Sequence, residues 1–157
     1  LRSLHIFDLD GTLVDTRAAV EAAYASAGVV YRPEYWGKPA SSWCPKEVQI
    51  RKALAYPNAL CKYGKPAWAD SLYRGLESVD RIVLTGASMP AIRAIEDWLG
   101  EPLRLLLGAG LTTADKNLAL RTLYSLGEFS ELHYYDDQPL LGEQVISGVP
   151  IAILHTG

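Results

Sequence analysis

Sulfur and imidazole are scarce in this chain: 157 residues carry two cysteines, Cys44 and Cys61, one methionine and three histidines, His5, His133 and His155. Two thiols with no C-x-x-C pair, and histidines far apart in sequence, argue against a disulfide-stapled scaffold and against a zinc site. No apolar run approaches the roughly 20 residues of a membrane span, and the first residues do not form a signal peptide, so a cytoplasmic chain without a membrane partner is expected. What is present suits one soluble domain, with 49% hydrophobic residues, 21% charged and a formal net charge of −3. A chain of this size buries close to 70% of its unfolded surface and needs no metal or disulfide to hold it. The charge is unevenly spread: residues 17–79 hold nine Lys or Arg against five Asp or Glu, the remainder six against thirteen. Such a basic segment facing an acidic remainder would concentrate an anionic ligand between them, although solvated surface charge gives the same count.

The informative stretch is FDLDGTLVDT, residues 7–16, which follows the short apolar run Leu4, His5, Ile6, Phe7. Side chains alternate along an extended backbone, so Asp8 and Asp10 share one side while Leu9 points the other way. Two carboxylates held so close repel each other, a cost that makes sense if a divalent cation lies between them or if one keeps a proton. Gly11 permits a sharp exit close to a ligand, and Thr12 adds a hydroxyl beside it. A calcium loop of EF-hand type also begins Asp-x-Asp, but it needs Gly at its sixth position and Glu at its twelfth. Leu13 and Ala19 stand there.

DLDGTLVDT resembles motif I of the haloacid dehalogenase (HAD) superfamily in its Asp-x-Asp-Gly-Thr phosphatase form. The superfamily's dehalogenases lack the second Asp, and its P-type ATPases carry Lys-Thr-Gly-Thr after the nucleophile. This chain does neither.

Along the chain, residues 3–8 read as a buried strand and Thr16 opens a helix that Gly28 stops. A Pro-, Trp- and Tyr-rich segment follows, with a helix opened by Pro45 that turns Val48 and Leu54 inward, and a shorter one opened by Pro57 and stopped by Gly64. Trp68, Leu72 and Leu76, spaced by four, predict another helix. Residues 81–85 form a second strand, followed by a helix with Ile92, Ile95 and Leu99 on one face. Residues 103–107 form a third strand. Thr112 to Asp115 cap a helix that carries Lys116 in its first turn with Leu118 and Leu123 beneath. Residues 132–135 form a fourth strand ending in Asp136 and Asp137, and a helix over 139–147 and a strand over 150–154 close the chain. Strands alternating with helices imply an α/β fold, a parallel sheet covered on both faces. Ligands of such sheets sit beyond the carboxyl ends of the strands, where strand order reverses. Asp8 and Asp10, Thr85, Lys116, and Asp136 with Asp137 each follow their own apolar run to that edge.

The same order of groups is the HAD layout, a three-layer Rossmann-like core over residues 1–16 and 80–157. Residues 17–79 form a small, mostly helical insert where the superfamily places a C1 cap. The resemblance implies Asp8 as nucleophile, Asp10 as general acid and base, Thr85 as motif II, Lys116 as motif III, and Asp136 with Asp137 as the acidic pair of motif IV. It also implies phosphate held by Thr12, Thr85, Gly86 and Lys116. The magnesium ion would be held by Asp8, the backbone carbonyl of Asp10, Asp136 and, directly or through water, Asp137. The bland readings are that Thr85 ends a strand, Lys116 is a solvated lysine and Asp136 with Asp137 caps a helix. Lys116 is oddly placed for the second of these, because the helix dipole disfavours a cation in the first turn.

The expected activity is magnesium-dependent phosphomonoester hydrolysis through an aspartyl phosphate, on a nucleotide or similar small phosphorylated metabolite. Within the insert, Tyr31, Tyr35, Trp36 and Trp43 lie among Arg32, Lys38, Lys46, Arg51 and Lys52, a mixture of stacking planes and cations that fits a nucleobase or sugar phosphate, or simply the insert's own core. Alternatives are a phosphatase of nucleic-acid ends, against which Ala87 speaks because such members often carry Arg there, a phosphomutase, and a non-catalytic binding module. Gly86-Ala87-Ser88-Met89-Pro90 faintly resembles a serine-hydrolase elbow, but the final Gly is missing and Ser88 reads as a helix N-cap.

Overall fold

The computed structural model describes residues 1–36 and 38–157. Four parallel strands form the central sheet: β1 (Arg2–Phe7), β4 (Arg81–Val83), β5 (Phe129–Tyr135) and β6 (Ala152–His155), in the order β4-β1-β5-β6. Since β4 lies on one side of β1 and β5 on the other, the order reverses at β1, and a crevice opens there beyond the strand ends.

Alternation along β1 sorts the two faces. Leu4 and Ile6 join Leu84, Leu132 and Tyr134 under helices α5 (Thr113–Ser125) and α6 (Pro139–Ile146), which contribute Leu120, Leu123 and Val145. Phe7, Val83 and Tyr135 face α1 (Arg17–Ser26), α2 (Lys46–Tyr63) and α4 (Met89–Leu99), which contribute Ala19, Ala23, Tyr56, Leu60, Ile92 and Ile95. The result is the expected three-layer arrangement of helices, parallel sheet and helices. No described helix is long and apolar enough to cross a membrane.

The segment between β1 and β4 differs most from expectation. Instead of two helices meeting at Pro57, α2 runs unbroken for 18 residues with Pro57 inside it. The proline removes one backbone hydrogen bond, but the apolar stripe of Tyr56, Ala59 and Leu60, packed against α1 and α4, spans the defect and outweighs it. That stripe fixes the helical phase, and Leu54 falls on the opposite side, 78% exposed rather than inward. Leu60→Ala is therefore expected to cost about 2–5 kcal/mol and Leu54→Ala less than about 0.5 kcal/mol in denaturant unfolding. The helix expected around Trp68, Leu72 and Leu76 is the short α3 (Asp70–Gly75), which buries Tyr73 and leaves Leu72 outward; of the two residues before it, Ala69 is buried and Trp68 exposed.

Residues 103–107 form no strand. Leu105 makes a single parallel bridge to Val83, and the glycines at 108 and 110 end the extension there. On α5 it is Ala119, Leu120 and Leu123 that are buried, while Leu118 is exposed. Also unforeseen is an antiparallel pair of two-residue strands, β2 (Val14–Asp15) with β3 (Lys65–Pro66). It is lengthened by Ala67 N–H donating to Leu13 O (3.0 Å) and Ala69 N–H to Thr12 O (3.0 Å). This strap ties residues 12–15, just ahead of the segment 17–79, to residues 65–69 within it, beside the crevice.

Candidate active site

The tight turn after β1 places the first carboxylates. Asp8 N–H donates to Tyr135 O (2.9 Å), the N–H groups of Thr12 and Leu13 return to Leu9 O, and Gly11 N–H donates to Val14 O (2.8 Å). Gly11 holds φ at +79°, a region open to glycine. Asp8 is left at the strand end with its side chain 13% exposed, and the Lys116 ammonium, 12% exposed, lies 3.0 Å from its Oδ1. The capping box of Thr112 and Asp115 fixes the start of α5 and so presents Lys116 from its first turn. Burial pushes the Asp8 carboxyl up to about 7, with Lys116 opposing and Asp136 adding to the rise. Burial works against the Lys116 charge, but Asp8, together with Asp136 and Asp10, more than offsets it and the ammonium is held above its ordinary value.

Asp10 points elsewhere. Its Oδ1 accepts a hydrogen bond from the hydroxyl of Thr16 (2.8 Å), a fully buried residue at the start of α1. The motif IV pair closes the other side. Asp136 is buried, with Oδ2 accepting from Tyr134 OH (2.9 Å) and Oδ1 from Gln138 N–H (2.9 Å), an Asx-type turn just before α6. Asp137 is pushed up to about 6 by burial and by Asp136, and its buried Oδ1 has no hydrogen-bond partner among the described residues. One carboxylate oxygen from each of Asp8, Asp136 and Asp137 lies within 4.8 Å of the others. Asp10's carboxylate stands outside that trio.

Thr85 is buried at the end of β4, and its Oγ1 accepts from Ala87 N–H (3.0 Å), which leaves its own hydroxyl hydrogen to donate. A Cβ at Gly86 would lie 3.0 Å from Leu111 O, so this loop is closely backed. Thr12 is fully buried with its Oγ1 unpartnered among the described residues. Ser88 caps α4, its Oγ accepting from Ala91 N–H (3.4 Å).

A pocket of about 480 Å³ adjoins the carboxylates, lined in part by Gly11, Asp15, Arg17, Trp36, Trp68 and Asp137. Of the aromatic residues expected to meet a ligand, Trp36 does line it. Trp43 instead stacks on Tyr35 (4.1 Å, 3°) and contacts Tyr24 and Tyr31, an aromatic core internal to the insert. The insert's cations are likewise partly spent: Arg51 pairs with Glu47 (3.8 Å) and Lys52 sits 4.2 Å over the Tyr56 ring. Four site residues escaped the sequence reading. Tyr134 was legible, being two residues before Asp136 and so on its side of β5. Thr16 closes the motif I stretch and could have been weighed as a partner of Asp10. Arg17 and Trp68 carry no local signal, because the strap and the packing of α1 bring them together.

The fold of this molecule is that of the haloacid dehalogenase-like hydrolases. It aligns over its whole length with CbbY from Rhodobacter sphaeroides, covering 87% of that chain with a TM-score of 0.65 and 16% identity. A haloacid dehalogenase-like hydrolase from Streptococcus pneumoniae is matched over 99% of this chain and 94% of its own, with a TM-score of 0.52 and 14% identity. For a hydrolase from Pseudomonas syringae the figures are 92%, 79%, 0.60 and 15%. No protein-family model matches the sequence. No curated protein matches it either.

Proposed function

We propose that the protein is a phosphatase that transfers a phosphoryl group from a small phosphorylated metabolite to Asp8 and then to water. The observation that carries this reading is the Lys116–Asp8 contact of 3.0 Å within reach of Asp136 and Asp137, the four groups arriving from the end of β1, the first turn of α5 and the end of β5. A nucleophilic carboxylate splits one hard displacement into two, and phosphoryl transfer otherwise asks mainly for positioning and charge neutralisation. Lys116 orients Asp8 and offsets charge on the entering phosphate; the Thr85 hydroxyl and Gly86 N–H hold its oxygens. Asp10, anchored through Oδ1 by Thr16, delivers its proton to the leaving oxygen from Oδ2 and then takes one from the attacking water.

The donor set suits magnesium, being all oxygen, and the unpartnered buried Oδ1 of Asp137 lacks what a cation would provide. Asp8, Asp136, Asp137 and the backbone carbonyl of Asp10 would hold it, and when bound it supplies positive charge against the phosphate oxygens. Residues 17–79 are proposed to act as a cap. For the substrate, CbbY, a fold neighbour, has been crystallised with phosphate and, as a variant, with xylulose-(1,5)-bisphosphate, which favours a small phosphorylated metabolite. With Trp43 engaged inside the insert, Trp36 and Trp68 are the aromatic residues left for a nucleobase to stack on among the described residues that line the pocket.

The test is inorganic phosphate release from sugar phosphates, nucleoside monophosphates and phosphorylated oligonucleotides, with magnesium or with EDTA. Magnesium-dependent turnover supports the reading; turnover unaffected by EDTA sinks the metal role. A second expectation concerns pH. The folded-state values of Asp8 and Asp137 stand above the ordinary carboxyl value, so the metal-free fold holds those protons tightly and loses stability as pH rises from about 4 towards 7. Protons also compete with the cation for the same oxygens. The rise in Tm caused by magnesium should therefore be small at pH 5.5 and grow through pH 7–8, by roughly 3 °C or more for each kcal/mol of binding. An equal rise at both ends would contradict it.

A further inference from the structure

Arg17 opens α1 beside the carboxylates, yet it takes no part in the chemistry above. Its Cζ lies 4.7 Å over the Trp36 ring, and its guanidinium makes no ion pair or hydrogen bond among the described residues; only its backbone N–H is engaged, with Asp15 Oδ1 (3.4 Å). It is also the one cation among the described residues that line the pocket, which Asp137 and Gly11 share with it. Lys116 is already committed to Asp8.

An unpaired guanidinium held over an indole is restrained in position, and its N–H groups have no partner among the described residues. That arrangement accepts a planar or tetrahedral anion with two hydrogen bonds and little loss of side-chain freedom. A neutral end on the substrate gains none of this. The pocket therefore distinguishes substrates by what they carry away from the scissile phosphate. We propose that Arg17, backed by Trp36, is a specificity residue for a second anionic group, so that the preferred substrate is a small phosphomonoester bearing a further phosphate or carboxylate. The inference rests on the phosphatase reading and adds the substrate class to it.

Because Arg17 is solvent-exposed, screening holds the preference to about tenfold in kcat/KM. The experiment compares matched pairs, a hexose monophosphate with the corresponding bisphosphate and glycerol phosphate with phosphoglycerate, alongside a nucleoside monophosphate and p-nitrophenyl phosphate. Within each pair the member with the second anionic group is expected to lead, through KM more than kcat. Arg17→Ala should collapse the ratio to near one, Arg17→Lys should keep part of it, and Arg17→Glu should invert it. Added salt should erode the ratio in the wild type. A ratio near one in the wild type, or a ratio indifferent to Arg17→Ala and Arg17→Glu, overturns the proposal. So does a nucleoside monophosphate that outruns every compound bearing a second anionic group and depends on Trp36 alone. Absence of turnover on all compounds, p-nitrophenyl phosphate included, would bring down the phosphatase reading itself, an outcome distinct from turnover without preference.

Discussion

Asp8→Asn is expected to lower phosphate release by about 10⁴- to 10⁶-fold, the loss that follows removal of a nucleophile whose partners act as a unit with it. The amide keeps the shape of the carboxylate, so the turn that carries it, held by Asp8 N–H on Tyr135 O (2.9 Å), need not change. What disappears is the charged oxygen proposed to attack phosphorus and half of the ion pair that Lys116 makes at 3.0 Å. The loss should be the same on every substrate, since in the proposed mechanism each passes its phosphoryl group through that oxygen. Steady-state phosphate release and single-turnover labelling with radioactive phosphate measure it together: the wild type should retain label acid-stably on the protein, and the variant should not. Label or turnover retained in Asp8→Asn would move the nucleophile elsewhere.

Gly11→Ala should be nearly as damaging for a different reason. At φ +79° any residue with a Cβ is strained, and here the added carbon would also run into Asp137 Oδ2. Either the turn opens or Asp137 is pushed out of the carboxylate trio. We expect a loss of stability of about 1–3 kcal/mol and at least about 100-fold in activity, together with loss of the magnesium-dependent rise in Tm. Gly28 is the control. It has φ +83° and nothing within 4 Å of an added Cβ, so Gly28→Ala should cost about 1 kcal/mol of strain and leave turnover and the magnesium response intact. If both variants lose only the strain energy, close approach of Gly11 to Asp137 has no functional weight.

The two glycines also show what a sequence can reveal. Gly11 was legible because it sits inside a motif whose neighbours are all chemically committed, and the polar residues at the strand ends were legible because each follows an apolar run. That β1, β4, β5 and β6 run parallel follows from strands alternating with helices along the chain; their order in the sheet does not. Pro57 misled because a local rule about helix interiors was applied where packing of Tyr56 and Leu60 decides. LRLLL, residues 103–107, has the composition of a strand but makes one bridge, since strand formation needs a partner edge of matching length. Arg17, Trp36 and Trp68 are far apart in the chain, and no periodicity links them. Their proximity depends on Val14 meeting Pro66, a pairing of two-residue strands that leaves no compositional trace.

That strap has a consequence for how the molecule can change. By fastening residues 12–15 to 65–69, it closes the intervening chain into a loop whose two ends are fixed side by side. Closing a longer loop costs only slightly more entropy, growing as the logarithm of its length. Changes of length in the segment above the strap are thus expected to cost little entropy while the ends remain in register. A replacement would still have to supply an apolar surface for α4 and for the sheet face of Phe7, Val83 and Tyr135.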